Sequence, residues 1–485
     1  MAASYYFYDL ETSGFDAREA RIMQFAGIRT NANLEPIGEP HNIVIKLTPD
    51  VVPSPDAILV TGITPQSTLS DGVTEAEFLK IFFKEVVTPD TCFLGYNTVR
   101  FDDEFMRHLL YRNMYDPYEW QWANGCSRWD MLDAVRMVRA LRPDGIKWPF
   151  TDDGKPTNRL ELITKLNGID HYAAHDALSD VHATIAVAKL IRDKQPKIFE
   201  YLYEHRGKKA VEELVNGGHP FVYSSGKYSS QYEKTAVVAP LAHQKQNRGE
   251  YVFDLRFDPT EFAAMTPQQL VERWQYNPDP EASPRLPVKL LQFNHCPAVA
   301  PLGVLDAASQ ERLQINLETV QQHLKLLQAH KELAPKILEA VELMDAARDK
   351  YIAAKGPKDA EWQLYDGFLD SGDKTVMSAI RAAEPADIMA FDSRLKDQRI
   401  RTILPRYKAR NFPNALTDDE RREWDNFLRH YLMDGGQSGR LAKFFTRLQE
   451  LAAENPSQDK AFLLEELQLY GQSLIPVTED SDADE

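Results

Sequence analysis

Residues 5–14 read YYFYDLETSG, an aromatic run that closes on two acids. Side chains of a strand alternate faces with period two. Tyr6, Tyr8 and Leu10 therefore share one face, and Tyr5, Phe7, Asp9 and Glu11 share the other. Two carboxylates one pleat apart repel each other and resist burial against aromatic neighbours. A divalent cation between them removes both problems, and hard oxygen ligands of this kind suit Mg²⁺ or Mn²⁺. The alternative is an exposed strand end carrying two solvated acids, so the choice depends on further ligands elsewhere in the chain.

Two other segments supply candidates. GYNTVRFDDE places Asn97 at the end of a buried strand (Thr91–Asn97) and Asp102 one turn into a helix read over Phe101–Arg112. Helices that follow sheet strands start over the strands' carboxyl ends, where sites are built in open α/β sheets. An acid favoured by the helix dipole is the competing account of Asp102, and it fits Asp103 and Glu104 equally. In AAHDALSDVHATIAVAK, Asp176 makes a good N-cap, which sets His175 before the helix and Asp180 in its first turns. His171 with Asp176 has the same spacing as His175 with Asp180. The second pair is preferred because Asp180 lies inside the amphipathic helix and Asp176 serves better as its cap.

The remaining chain organises around this start. At 485 residues it exceeds one core, and 43% hydrophobic with 27% charged residues is ordinary for a soluble globular protein. Strands over Tyr5–Glu11, Arg21–Thr30 and His41–Leu47 suggest an antiparallel meander, followed by alternating strands and helices in a mixed sheet. Helices are read over Glu75–Val86, Arg159–Leu166 and Asp176–Asp193. FVYSSGKY, TAVVAPLA, YVFDLRF and PVKLLQF then predict a small barrel or partly open sheet closed by helices over Ala308–Ala354. The pattern beyond Ala360 is that of a helical bundle. The expected divisions are 1–196, 197–354 and 355–476, with an acidic tail, 477–485, expected to be disordered.

No apolar run approaches the roughly 20 residues that span a bilayer, and the N-terminus lacks the features of a secretory signal. Cys92, Cys126 and Cys296 form no C-x-x-C pair, which excludes a disulfide framework or structural zinc cluster and fits a reducing cytoplasm. A net charge of −17 disfavours a protein that coats itself in nucleic acid, but salt screens charge beyond about 8–10 Å and leaves room for a confined positive groove. Arg107, Tyr111, Arg112, Tyr115, Tyr118, Trp120, Trp122, Arg128 and Trp129 combine cations with ring faces, the mixture that single strands need, and some of the rings must be core. Arg142, Lys147, Trp148 and Arg159 extend the cationic content. A second basic cluster, Arg399–Phe412, would line a strand path, receive an acidic peptide or form a solvated helix face.

D-x-E on a first strand, N-x-x-x-F-D after a later one and H-x-x-x-x-D at a final helix, in that order, resemble the histidine branch of the DEDD exonuclease superfamily on a ribonuclease H-like α/β fold. TGITPQ, GYNTVRFDDEF, RNMYDPYEW, SRWDMLD, ALRPDGIKWP and RYKARNFP further resemble the bacterial exonuclease I family along nearly the whole chain. The resemblance implies a nuclease domain, a Src-homology-3-like barrel and an all-α C-terminal domain that together retain the strand between cuts. It implies that Asp9, Glu11 and Asp180 hold one Mg²⁺ and that Asp9 with Asp102 serves a second, with Mn²⁺ as a substitute and Glu11 beside the terminal nucleotide. His175 becomes the general base, its reference pKa of about 6.5 suiting proton removal from water near neutrality. Arg159 becomes a substrate contact.

The implied activity is 3′→5′ hydrolysis of single-stranded DNA to 5′-mononucleotides in DNA repair and recombination, by a cytoplasmic monomer. The acidic tail of single-stranded DNA-binding protein is the implied partner. Rival readings are a proofreading enzyme, an exonuclease that trims RNA or tRNA ends, and an inactive binding scaffold.

Overall fold

The computed structural model describes residues 4–169, 176–245, 248–275, 284–354 and 356–475. Its first sheet has the order β3-β2-β1-β4-β5, built from β1 (Ser4–Thr12), β2 (Ile22–Thr30), β3 (His41–Val44), β4 (Thr91–Gly95) and β5 (Ser127–Asp130). The first three strands form the antiparallel meander expected from their short connections, and β4 and β5 add in parallel. β5 was not expected. Its four residues, SRWD, carry charge at one end and a cap at the other, so no apolar alternation marks it.

Alternation along β1 separates two cores. After α1 (Pro55–Thr61) and α2 (Pro65–Asp71), α3 (Glu75–Ile81) and α4 (Asp102–Arg112) cover one of them, in which Tyr6, Tyr8 and Leu10 pack with Phe25, Phe82 and Trp120. Gly27 permits this, since a Cβ there would fall 2.4 Å from the Tyr6 ring. Tyr5 and Phe7 face the other way, onto α5 (Met131–Leu141) and α7 (Ala177–Lys194). Between them in sequence lies α6 (Leu160–Leu166). The apolar stripe Val181, Ile185, Ala188 and Ile191 lays α7 across β1 and β2. That is the face on which Asp9 and Glu11 emerge.

The first sheet's packing continues past residue 196, because Phe199 and Tyr203 on helix Pro196–Glu204 close edge-on over Trp129. The middle unit is an antiparallel sheet of order β10-β6-β7-β8-β9, formed by β6 (Phe221–Ser224), β7 (Thr235–His243), β8 (Gly249–Asp254), β9 (Val288–Gln292) and β10 (Ala298–Pro301). Its inner residues Val222, Val237 and Phe253 share one continuous core with Phe7 and α5. The last unit is helical from Ser371–Ala382 to Gln458–Ser473. The acidic tail lies outside the described residues. Among those described, no helix is long and apolar enough to cross a membrane.

Candidate active site and strand path

Strand β1 delivers Asp9 and Glu11 to its carboxyl end, and the first turn of α7 brings Asp180 over them. Asp176 caps α7, accepting from the Ser179 N–H at 3.0 Å, as its position before the helix predicts. One carboxylate oxygen from each of Asp9, Glu11 and Asp180 lies within 4.8 Å of the others. Asp102 opens α4, one turn earlier than expected, and is only 3% exposed. Its Oδ1 is buried without a hydrogen-bond partner.

These acids are electrostatically expensive. Burial, then the charges of Asp180 and Asp176, hold Asp9 well above the usual carboxylate range. Burial followed by Asp9 does the same to Asp102. Glu11 is pushed up to about 9 by burial, with Asp9, Asp180 and Asp176 adding to it. An all-oxygen cluster with one orphaned carboxylate oxygen fits hard divalent cations, which compensate the charge and fill the open lone pairs. His175 and its rival His171 lie outside the described residues. Arg159 caps α6 with a 66% exposed side chain, its guanidinium 2.5 Å from Glu161.

A cavity of about 920 Å³ opens among all three units. Arg107 and Arg128 form its wall on the first unit, Arg206, Lys208 and Arg248 on the middle one, and Tyr365 and Phe368 on the helical one. Arg107 is held by Glu104 and Gln121, while Arg128 bonds Asp103 and donates to the Asn294 carbonyl at 2.7 Å. Two rings of this cavity are largely exposed, Trp122 at 65% and Phe368 at 79%, the latter edge-on to Tyr118. Phe368 was missed in the sequence because helical periodicity absorbed it, although a ring beside Gly367 and Asp370 marks a loop. Phe15, 75% exposed four residues past Glu11, was missed too; an aromatic directly after Gly14 was the available signal.

Several expected strand contacts point elsewhere. Tyr111 is buried between α4 and the helical unit, its hydroxyl donating to the Ala360 carbonyl. Arg112 is 3% exposed and clasps Glu75 through Nε at 2.9 and 3.0 Å. Trp129 is core, closed over by Phe199 and Tyr203. Arg142 is not in the cavity wall; it ties α5 to the Val304 carbonyl and Asp306 of the middle unit. In the second basic cluster Arg399, Arg406, Lys408 and Arg410 are paired with acids inside the protein, and Arg401, 40% exposed, pairs with Asp392 nearer the surface.

Three family models match in succession: an exonuclease model over residues 6–188, an exonuclease I SH3-like domain over 206–342 and an exonuclease I C-terminal domain over 358–474. Exodeoxyribonuclease I of Escherichia coli (strain K12) is 37% identical over 477 residues, covering 98% of each chain. The chain belongs to the exodeoxyribonuclease I family. It is thereby an exonuclease. Exonuclease I from Methylocaldum szegediense superposes with a TM-score of 0.90 at 41% identity, covering 98% of this chain and 100% of that one. The E. coli enzyme in complex with a dA16 oligonucleotide gives 0.90 at 37% identity, over 97% and 100%. Further exonuclease I structures are described as a zinc-bound complex with single-stranded DNA and as SSB/exonuclease I with an inhibitor.

Proposed function

We propose that this exonuclease hydrolyses single-stranded DNA from the 3′ end to 5′-mononucleotides, processively, with two Mg²⁺ ions. The observation that carries the reading is the placing of Asp9, Glu11, Asp180 and the orphaned Asp102 together on one protein with a cationic, ring-lined cavity walled by all three units. Asp9, Glu11 and Asp180 would hold one ion and Asp102 with Asp9 the other. Bound there, divalent ions would supply charge neutralisation at the scissile phosphate and a lowered pKa for the attacking water. His175, assigned from the H-x-x-x-x-D pattern, takes the water's proton. Arg159 offers its exposed guanidinium to a phosphate, and Phe15 offers a face to a terminal base. The apo relatives of this arrangement would carry protons on some acids, so metal and proton compete for the same oxygens.

The enclosing walls of the cavity support the processive reading. Tyr365 donates to Glu104 of α4 and Phe368 meets Tyr118, in the loop after α4, with ring centroids 6.2 Å apart, so the helical unit is fastened to the first unit at the cavity wall. Replacing Trp122 and Phe368 together by alanine is expected to remove stacking worth about 1–3 kcal/mol per ring. In a trap experiment the number of nucleotides removed per encounter should drop several-fold, while cleavage of a short oligonucleotide at saturation is retained. An unchanged run length would remove both rings from the strand path. SSB is the proposed partner, and its acidic tail peptide should bind in a salt-sensitive manner.

Digestion of 3′-labelled single-stranded DNA, duplex DNA and RNA with Mg²⁺ or EDTA tests the function. Mononucleotide release from the single strand alone, lost in EDTA, is the expected result. Preference for RNA would turn the assignment to end-trimming, and no cleavage of any strand would leave a scaffold.

A further inference from the structure

The buried carboxylate of Asp130 lies outside the metal-ligand set, yet it organises the segment that presents Asp102. Asp130 ends β5 and sits opposite Gly95 of β4, 1% exposed. Its Oδ1 accepts from the Asn97 N–H at 3.0 Å and the Leu132 N–H at 2.9 Å, and its Oδ2 accepts from the Val99 N–H at 3.2 Å. Asn97 holds a left-handed conformation, φ 72°, which asparagine tolerates better than most non-glycine residues and which turns the chain sharply between β4 and α4. The turn is also pressed against the site. A Cβ on Gly95 would lie 2.3 Å from Thr98 Cγ2 and 2.5 Å from the Tyr8 carbonyl, and Tyr8 directly precedes Asp9.

The first turn of α4 is held on one side through Asp103, which accepts from the Tyr8 hydroxyl at 2.6 Å and pairs with Arg128. Phe101, which precedes it, offers no side-chain cap, and Asp102 Oδ1 has no partner. The aim of Asp102 therefore depends on that anchor on one side and on residues 97–101 on the other. That turn is anchored twice by the start of α5: Asp130 holds its amides, and Asp133, also 1% exposed, holds the Arg100 guanidinium at 2.5 Å. Three N–H groups converging on one side chain require an acceptor at both oxygens, which aspartate supplies and asparagine does not.

We infer that Asp130 is a positioning residue for hydrolysis, setting the Asp102 carboxylate against Asp9 by clamping the turn 97–99. This rests on the proposed role of Asp102 as a metal ligand. The plain alternative is that Asp130 serves only as the N-cap of α5, through Leu132.

Asp130→Asn and Asp130→Ser separate the two. Serine keeps a helix cap but lacks the second oxygen that reaches the turn. Both variants should retain a cooperative melt and bind labelled strand in EDTA as the wild type does. Their kcat should fall about 10–100-fold with KM unchanged, and calorimetric Mn²⁺ affinity at the weaker site should fall by a similar factor. Wild-type kcat and Mn²⁺ affinity in both variants would overturn the inference; should Asp130→Asn fold poorly, Asp130→Ser alone decides. Asp102→Asn is the control. If it still cleaves and binds Mn²⁺ normally, the metal reading of Asp102 fails first; if it is inactive while the Asp130 variants match the wild type, only the positioning role fails.

Discussion

Asp9→Asn is expected to lower cleavage by about 10³-fold or more while making the metal-free protein more stable than wild type in neutral to alkaline solution. Asp9 is the carboxylate proposed to serve both ions, so its loss removes several kcal/mol of charge stabilisation. The same side chain is costly when no metal is bound, because burial and the charges of Asp180 and Asp176 oppose its ionisation. The pH dependence follows from Glu11, whose pKa moves from 4.5 to about 9. Between those values the native protein holds a proton that the unfolded chain has released, so this group's contribution to stability is full below 4.5 and is lost as pH rises through about 9. Mg²⁺ selects the ionised form and acts in the opposite direction. Melting in EDTA and in Mg²⁺ should therefore diverge as pH rises, and Asp9→Asn should shrink the gap. An Asp9→Asn protein that still cleaves, or a gap independent of pH, would remove the metal assignment.

The catalytic frame was legible because it is local. Alternation in YYFYDLE sets both acids on one face of β1, and the 3.6-residue stripe of α7 fixes which face that helix buries, carrying Asp180 to the same strand end. Asp176 as cap follows from its position alone. Strand contacts were less legible because composition does not reveal direction. Arg112 resembles a phosphate ligand until Glu75, 37 positions away, is seen to occupy it. Trp129 lies on β5, a strand too short to show a period, and the helix that closes over it comes from beyond the expected boundary at 196. Arg410 and Asp50 meet across 360 positions, a pairing no window on the sequence contains. Arg107 and Arg128 were identifiable by charge, and the folded chain puts both on the cavity wall.

That distant pairing carries the largest expected loss of stability. Arg410→Met should cost about 3–5 kcal/mol, because it removes the cation that two buried carboxylates share. Arg410 lies 2.8 Å from Asp50 and 2.6 Å from Glu361, and Arg21 reaches Glu361 at 3.1 Å. All four side chains are no more than 7% exposed, so water cannot compensate. Burial alone would push Glu361 up, but Arg410, Arg21 and Arg406 outweigh it and hold the carboxyl below its ordinary range. Asp50 is likewise held down against burial by Arg410 and Arg21. Lowered carboxyl pKa values give stability that is present above about pH 4 and lost as pH falls through the folded-state values. Arg447, paired with Asp56 at the surface with side chains 39% and 44% exposed, provides the contrast, and Arg447→Met should leave the midpoint nearly unchanged. The consequence reaches the active site, since the Arg21 N–H donates to Ser13 Oγ and the Ser13 N–H to the Arg21 carbonyl, two residues past Glu11. Denaturant titration at pH 7 and pH 4 measures the loss: Arg410→Met should show a large deficit at pH 7 and a smaller one at pH 4, where the stranded acids can take up protons. Equal midpoints for wild type and Arg410→Met at pH 7 would mean that this buried ion-pair network adds nothing net to the hold of the helical unit on the nuclease sheet.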